Sequence, residues 1–399
     1  MRVVVVGGGI AGPAVAMALH WNGVEAVVLE GRPRSDGREG SYLTVTPNGL
    51  DALEHMGALS LVRDAGFPAR RNVMLGSRGQ RLGEVGLGEP LHDGTHAVTV
   101  KRSLLSMCLA QEAERRGIPI EYDAPVAEVA DHGSSARATL TDGRTFEGDL
   151  LIGADGVHSK VRRAIDPHAP SGRYVGLLNF GGITRDTHLA EELPEEAWEF
   201  RFAKRAFFGA ARTPGRDVVW FVNLPGPEID RAQRGAISPD AWHHQLAELF
   251  TGDPGPAAEL IAAGKLELVA DNVYDLGHVP TWHRGRLVVI GDAAHAPSPS
   301  SGQGASMALE DAALLTAALR RHPTVEDALA RFVHQRRPRV ERIVATGART
   351  SSAKTPGPVG RVLRDAILRP VFRYAVTDKS MAWIYDHRIE EVAPARDDF

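Results

Sequence analysis

The first thirty residues, 1-MRVVVVGGGIAGPAVAMALHWNGVEAVVLE-30, contain an apolar run, three consecutive glycines, a helical pattern and a second apolar run. The spacing of Gly7, Gly9 and Gly12 supplies a tight turn, a close backbone approach to a pyrophosphate, and close packing of helix on strand. Pro13 suits the first turn of a helix, where a missing N–H breaks no hydrogen bond. Glu30 ends the second run, and its carboxylate can accept both hydroxyls of an unphosphorylated ribose. The stretch therefore predicts a dinucleotide site, which fits NAD and FAD equally.

The composition narrows the class of protein. The chain has 399 residues, which is long for one hydrophobic core, so two interlocked domains are expected. A net charge of −4 provides no overall attraction to nucleic acid or to an anionic membrane. The one cysteine, Cys108, excludes an intramolecular disulfide and a thiolate metal cluster. No apolar run reaches the roughly 18 residues of a membrane span, and no signal-peptide cleavage region is visible, so we expect a cytoplasmic protein.

Two later segments place polar groups and glycines after buried strands, where α/β proteins bind ligands. In 149-DLLIGADGVHSKVRRA-164, Asp155 and Gly156 are explained equally by a ligand clamp and by an Asp-Gly turn capped by its own side chain. In 291-GDAAHAPSPSSGQGASMALEDA-312, Asp292 can accept a hydroxyl of a polyol, and Gly302 and Gly304 let a ring lie against the start of a helix. That helix N-terminus is suited to stabilising negative charge on a flavin. NAD has neither the polyol nor the anionic ring, so this segment predicts FAD.

The three segments, GGGIAG with Glu30, GADGVHSKVR and GDAAHAPSPSSGQGASMALEDA, resemble those of class A FAD-dependent aromatic monooxygenases. This group includes para-hydroxybenzoate hydroxylase, salicylate hydroxylase and the tetracycline-inactivating monooxygenases. The segments occur in family order and span nearly the whole chain. One departure is Ser306, at a position after GQGA that is often asparagine in the family. The WxWxIP signature associated with flavin halogenases is absent from the sequence.

The resemblance and the strand and helix patterns imply an α/β fold. A Rossmann-like FAD-binding domain would carry an inserted, mostly antiparallel β-sheet substrate domain and a helical C-terminal region. We expect the FAD-binding domain to comprise residues 1–171, with some short strands of the substrate domain, and residues 273–323. Residues 172–272 are predicted to form the substrate sheet, because 198-WEFRFAKRAFFGAARTPGRDVVWFVNLP-225 alternates bulky apolar and polar residues about a turn. Residues 324–399 are predicted to form the C-terminal helical region.

By resemblance, Glu30 would bind the adenosine ribose, Arg102 the ribityl or pyrophosphate region, and Asp292 the junction between the two. Asp155 would lie near the FAD, in a segment that the family also links to NAD(P)H binding. His295 and Pro299 would lie on a loop over the flavin face, and for His295 a structural hydrogen bond is preferred to acid–base catalysis. No metal ligand and no catalytic side chain is predicted. The predicted cofactor-binding residues are Gly7, Gly9, Ile10, Ala11, Gly12, Glu30, Arg102, Asp155, Asp292, Pro299, Gly302, Gly304 and Ala305.

The resemblance also implies a reaction. NAD(P)H would reduce FAD, O₂ would add at C4a, and the distal oxygen of the hydroperoxide would pass to an electron-rich substrate. Two alternatives keep all three segments: an FAD-dependent reductase or dehydrogenase without oxygen insertion, and a non-catalytic FAD-binding scaffold. The Arg-rich stretch 31-GRPRSDGR-38 favours NADPH over NADH, although solvated loop charges explain it as well.

The apolar strands 205-RAFFGAA-211 and 217-DVVWFVNL-224 indicate a largely apolar pocket wall. Together with the family's habits, they imply a phenolic, indolic or polyketide-like aromatic substrate. Phe207, Phe208 and Trp220 are the candidate substrate contacts, and strand alternation predicts that only about half of the aromatic residues here face the ligand. Solvent is the favoured environment for Arg201, Arg205 and Arg212, with the pocket as the alternative.

Overall fold

The structure, a computed structural model, describes residues 1–38, 40–351 and 358–389. The α-helices are α1 (Ala11–Trp21), α2 (Pro47–His55), α3 (Leu59–Ala65), α4 (Arg102–Arg115), α5 (Lys160–Ile165), α6 (Arg231–Ala236), α7 (Pro239–Leu249), α8 (Ala257–Ala263), α9 (Gly304–Arg321), α10 (Val325–Ser351), α11 (Pro358–Pro370) and α12 (Asp378–Tyr385). The strands are β1 (Arg2–Val6), β2 (Glu25–Leu29), β3 (Tyr42–Val45), β4 (Phe67–Pro68), β5 (Arg71–Leu75), β6 (Arg81–Gly86), β7 (Val98–Lys101), β8 (Ile120–Glu121), β9 (Val126–Asp131), β10 (Ala136–Leu140), β11 (Thr145–Gly148), β12 (Leu150–Gly153), β13 (Arg173–Thr184), β14 (Ala197–Phe202), β15 (Phe207–Arg212), β16 (Val218–Pro225), β17 (Lys265–Asp275), β18 (His283–Arg284) and β19 (Leu287–Val289).

The nucleotide-binding sheet has the strand order β18-β19-β12-β1-β2-β8. Its strands run parallel except for β18 at the edge. The residues Val3–Val6 of β1 are buried throughout, as expected for a central parallel strand that is covered on both faces. Helix α1 packs against α9, although the two lie almost 300 residues apart in the chain. This pairing brings the first and the last predicted cofactor segments to one end of the molecule.

A second sheet has seven strands in the order β17-β13-β16-β15-β14-β5-β6. Its pairs are antiparallel except β14–β5, which confirms the predicted mostly antiparallel substrate sheet. Strands β5 and β6 come from residues 71–86, so the first segment of the chain does contribute short strands to this sheet. Strand β17 ends at Asp275, slightly beyond the predicted limit of 272. The boundaries at 171, 272 and 323 otherwise stay predictions.

The two faces of the seven-stranded sheet have different coverings. Helices α7 and α8, which the sequence analysis did not predict, pack on one face over a core that includes Phe180, Phe208 and Trp220. The other face meets the strands β3 and β7 of a small three-stranded sheet and, at its far edge, helix α11. The small sheet belongs to the FAD-binding half of the chain. A substrate bound between the two halves therefore has to lie on this second face.

The C-terminal region is helical, as predicted, with α10 packed against α9 and α11 packed against β6. The segment 354-KTPGPVG-360, whose prolines and glycines interrupt the helical pattern of the sequence, lies partly outside the described residues, as does the tail after residue 389. Over the described ranges, none of the helices combines the length and the apolar character that crossing a membrane requires. Within the same ranges, no group of three or more His, Cys, Asp or Glu side chains could hold a metal ion.

Candidate functional site

In the glycine loop between β1 and α1, the backbone leaves no room for a side chain at Gly7 and Gly12 but does leave room at Gly9. A Cβ on Gly12 would lie 1.8 Å from the carbonyl oxygen of Gly7, and Gly7 itself has a φ of +110°. A Cβ on Gly9 would meet no atom within 4 Å, so the backbone is open to a ligand at that residue. Ile10 is the N-cap of α1 and supplies no side-chain hydrogen bond, which leaves the first N–H groups from Ala11 onward available to an anion.

Glu30 and Arg102 flank this loop. The Glu30 carboxylate accepts hydrogen bonds from the Gly8 N–H, at 2.6 Å, and from the Arg32 N–H, at 2.9 Å. Arg102 begins α4, is exposed, and forms no ion pair with any described residue. One turn later, Ser106 donates to the Gly8 carbonyl at 3.4 Å. Because residues four apart share a helix face, Arg102 lies on the side of α4 that borders the loop.

The start of α9 forms the second half of the site. The helix begins at Gly304 without a side-chain cap, and Ala305 follows in its first turn. Asp292 is half-buried and makes no hydrogen bond to any residue that the structure describes. Its Oδ1 lies 3.8 Å from where a Cβ on Gly304 would stand, and the backbone is open at Gly302, whose φ is +61°. The structure thus brings these predicted residues together around free N–H groups and an unpaired carboxylate. Pro299 is exposed on the loop before them.

Buried side chains hold the α9 start in place. The Gln303 amide donates to Thr46 Oγ1 at 2.8 Å and accepts from Asn48 at 3.0 Å. Ser306, the departure from the family pattern, accepts from the Thr46 N–H at 3.1 Å. The hydroxyl therefore joins α9 to the end of β3. The sequence analysis missed Thr46 and Asn48, because nothing in their local pattern distinguishes them from an ordinary helix start.

Behind this turn, Glu310 and Asp311 of α9 are fully buried with Arg336 of α10. Burial alone would raise the pKa of Glu310, but the charges of Arg336 and Arg339 outweigh it and lower the pKa to about 2. Asp311 binds the His295 Nε2 at 2.6 Å. His295 is only 2% exposed. Its side chain makes a structural hydrogen bond, the role that the sequence analysis favoured, and is not exposed on the loop predicted to lie over the flavin.

Asp155 has its carboxylate directed away from the glycine loop. It accepts from the N–H groups of Lys160, at 2.7 Å, and Val161, at 3.2 Å, in the first turn of α5, and from the hydroxyl of Ser159, the N-cap of that helix. Burial raises the pKa of Asp155. Its backbone does border the loop, since a Cβ on Gly7 would lie 3.0 Å from the Asp155 Cα. The carboxylate thus bonds to the start of a helix and not to the Asp-Gly turn of the alternative, and a cofactor contact from Asp155 would have to come from its backbone.

Four aromatic rings form a cluster on the second face of the large sheet: Trp198, Phe200, Phe207 and Phe221. Each has a neighbouring ring of the cluster with its centroid between 5.6 and 6.0 Å away. The Trp198 Nε1–H donates to the hydroxyls of Thr44, at 3.1 Å, and Thr99, at 3.0 Å. Since Thr46, two residues beyond Thr44, bonds Ser306, strand β3 connects this aromatic cluster directly to the start of α9.

Two predicted substrate contacts lie on the wrong face. Phe208 and Trp220 are 0% and 1% exposed in the core under α7 and α8, because strand alternation turns them away from Phe207. Neither can line a pocket beside the FAD-binding half, and of the three candidates only Phe207 belongs to the aromatic cluster. Trp198 and Phe200 were missed, although the alternation in 198-WEFRF-202 signals them.

The three arginines of this region have protein partners. Arg201 pairs with Glu199, Arg205 donates to the Glu248 carbonyl, and Arg212 pairs with Glu195. These contacts lie away from the aromatic cluster, so none of the three guanidinium groups is free to bind a substrate there. Arg205 is exposed, as expected for solvent, whereas Arg201 and Arg212 are partly buried.

A family model described as an FAD binding domain matches residues 1–346. The chain belongs to this family. It is 28% identical over 351 residues to the FAD-dependent urate hydroxylase of Klebsiella pneumoniae, covering 86% of this chain and 88% of that protein. It is 29% identical over 392 residues to the 3-amino-4-hydroxybenzoate 2-monooxygenase of Streptomyces cremeus, covering 96% and 95%. The crystal structure of Klebsiella pneumoniae HpxO with FAD and uric acid superposes with a TM-score of 0.79 at 25% identity, covering 93% of each chain.

Family membership confirms that the chain is a class A FAD-dependent monooxygenase and that its cofactor is FAD. The geometry fits that cofactor. The opening at Gly9 and the uncapped start of α1 suit a pyrophosphate, and the unpaired Asp292 carboxylate suits a polyol hydroxyl. Which of these residues touch FAD stays a prediction.

Proposed function

We propose that this monooxygenase uses NAD(P)H and O₂ to insert one oxygen atom into an electron-rich aromatic or polyketide-like small molecule, held on the aromatic cluster of Trp198, Phe200, Phe207 and Phe221. The observation that carries the proposal is the connection through β3. Thr44 contacts Trp198 and Thr46 contacts Ser306, so the cluster and the flavin-binding helix start are fixed to one short strand. A ring bound on this cluster is held close to the cofactor.

The residues of the chain orient and enclose the reactants. Bound FAD, once reduced by NAD(P)H, supplies the chemistry that activates O₂ and delivers one oxygen atom. The uncapped N-terminus of α9 stabilises negative charge on the cofactor through its N–H groups and its dipole. Leu368 of α11, and Phe372 just after that helix, pack against the apolar group that includes Phe207, so this end of the cluster is covered by side chains. No side-chain nucleophile is required.

The substrate class follows from the rings and from the relatives. Two relatives are named for hydroxylating urate and an aminohydroxybenzoate, both of which are electron-rich ring compounds. The rings of the cluster already make tilted and edge contacts with one another, and an aromatic substrate can be recognised by the same kind of contact. These matches do not favour the alternatives of a reductase or a non-catalytic scaffold.

The structure weakens the argument for NADPH over NADH. Arg34 already pairs with Glu114, and Arg38 pairs with Asp36 at 3.7 Å. Arg32 forms no ion pair with a described residue, and the pair of Arg38 is long and exposed, so these two arginines are available to a 2′-phosphate. We therefore expect a modest preference for NADPH, which stopped-flow reduction of the flavin with each nucleotide measures.

The experiment that tests the proposal is a panel of phenols, indoles and polycyclic aromatic compounds assayed with NAD(P)H under ¹⁸O₂. We expect at least one member to accelerate flavin reduction and to gain one ¹⁸O atom in its product. If a productive substrate is turned over without label from O₂, the enzyme is an oxidase or a reductase, and the proposal is wrong.

A further inference from the structure

The side-chain carbonyl oxygen of Asn223 is buried without a partner. The residue is 2% exposed, and its Oδ1 accepts no hydrogen bond. No described residue bonds to the amide nitrogen of this side chain either. Trp198, on the same face of the sheet, has its polar N–H bonded to two threonine hydroxyls. A buried amide that forgoes its hydrogen bonds destabilises the fold, so its presence needs an explanation outside the free protein.

The register of the sheet places this amide beside the aromatic cluster. Asn223 pairs with Phe207 on β15 and with Asn179 on β13, and paired residues point to the same face. Its strand neighbours Val222 and Leu224 pack on the opposite, helix-covered face. The amide therefore borders the surface that the substrate is proposed to occupy.

The neighbouring row of residues relates the amide to the FAD-binding half. Two residues earlier on β16, Phe221 pairs with Gly181, and a Cβ on Gly181 would lie 3.4 Å from the Cα of Ser41. Ser41 immediately precedes β3, the strand that reaches the start of α9. Asn223 thus lies two residues along β16 from the row of the sheet that contacts the FAD-binding half of the protein.

We propose that Asn223 is a specificity-determining residue whose Oδ1 accepts a hydrogen bond from a ring O–H or N–H group of the substrate. This inference rests on the proposed function and narrows its substrate class. The amide is neutral and its neighbours in the row, Asn179 and Phe207, are also neutral, so it suits an uncharged donor rather than a carboxylate. A methylated analogue would leave the acceptor unpaired and would be bound less tightly.

The test compares Asn223→Leu with the matched control Asn272→Leu. Asn272, on β17 of the same sheet, has its amide satisfied: it donates to the Ile229 carbonyl at 2.7 Å and accepts from the Ile229 N–H at 3.2 Å. The probes are 2-naphthol with 2-methoxynaphthalene, and indole with 1-methylindole. Binding to the FAD-loaded protein is followed by the change in flavin absorption, and stability by urea unfolding.

We expect the wild-type protein to bind each donor about tenfold more tightly than its methylated counterpart. Asn223→Leu removes this difference while keeping FAD affinity and at least the wild-type stability, whereas Asn272→Leu loses stability and keeps the preference. The inference is overturned if Asn223→Leu retains the preference or loses stability and FAD with it, or if the wild-type protein binds the two members of each pair equally or binds none of the four. The proposed oxygenation is judged separately by the ¹⁸O label, so the two failures are distinguishable.

Discussion

Alanine substitutions at Gly9 and Gly12 are expected to separate cofactor binding from folding within one loop. At Gly12, the new Cβ would lie 1.8 Å from the Gly7 carbonyl oxygen, whereas ordinary contact begins at 3.4 Å. The two atoms would have to move apart by about 1.6 Å. The loop cannot yield easily, because the Gly7 N–H is bonded to the Leu29 carbonyl of β2 at 2.8 Å.

The two variants are expected to change different quantities: Gly12→Ala lowers the free energy of unfolding, and Gly9→Ala lowers the affinity for FAD. Overpacking of this type destabilises a protein by about 1–3 kcal/mol or more, so we expect Gly12→Ala to lower the free energy of unfolding by at least that amount. The Cβ of Gly9→Ala would meet no atom within 4 Å, and the φ of this residue is an ordinary one. Such a substitution stabilises a protein by about 0.4–1 kcal/mol, because it reduces the conformational entropy of the unfolded chain. The same methyl group blocks the approach of the pyrophosphate. Losing one charge-assisted hydrogen bond there weakens FAD binding roughly 10- to 150-fold.

The assay uses flavin-free protein, titrated with FAD by flavin fluorescence and unfolded separately in urea. Gly235→Ala is the matched control, since its Cβ also meets no atom within 4 Å and it lies on α6, outside the site. We expect the control to leave FAD affinity unchanged. Unchanged FAD affinity in Gly9→Ala would show that this residue does not face the cofactor, and wild-type stability in Gly12→Ala would show that the loop is not closed as described.

Two further predictions concern the far side of the site. Asp292→Ala is expected to weaken FAD binding roughly 10- to 150-fold in the same titration, with the stability of the flavin-free protein unchanged, because the carboxylate bonds to no described residue; unchanged affinity would remove Asp292 from the site. The pKa of Glu310 is about 2 against an ordinary 4.5, so its stabilising contribution is complete above about pH 4.5 and is lost as the pH falls through about 2. Urea unfolding at pH 7, 4 and 3 is expected to show a steeper loss of stability on acidification in the wild-type protein than in Glu310→Gln, and parallel losses would assign the pH dependence to other groups.

The parts of the site that the sequence predicted are those with local causes. Gly7, Gly9 and Gly12 act through the backbone of one turn, and Asp292 and Gly304 lie within one short loop, so spacing alone places them. The direction of Phe207 against Phe208 depends instead on strand register, which needs the partner strands. The sequence could not predict that Asn223 has no hydrogen-bond partner, because this depends on the positions of all the residues around it.

Helix α7 was missed although its signal is local. Ser238 caps the helix with its hydroxyl and Pro239 occupies the first turn, both of which are sequence-level marks of a helix start. The segment was instead assigned to the sheet, because strand-like patterns dominate residues 172–272. The contacts of Glu310 and Asp311 with Arg336, by contrast, join two helices and could not be predicted from either one.

The two halves of the FAD site are separated by about 280 residues of chain, from Gly12 to Gly291. At synthesis rates of about 5–20 residues per second, a ribosome needs roughly 15–60 s to make the interval. During that time the nascent chain has a glycine loop without the α9 helix that packs beside it. Flavin uptake must therefore await the synthesis of α9, and the seven-stranded sheet, whose strands β5 to β17 all lie within this interval, is made before the cofactor site is complete.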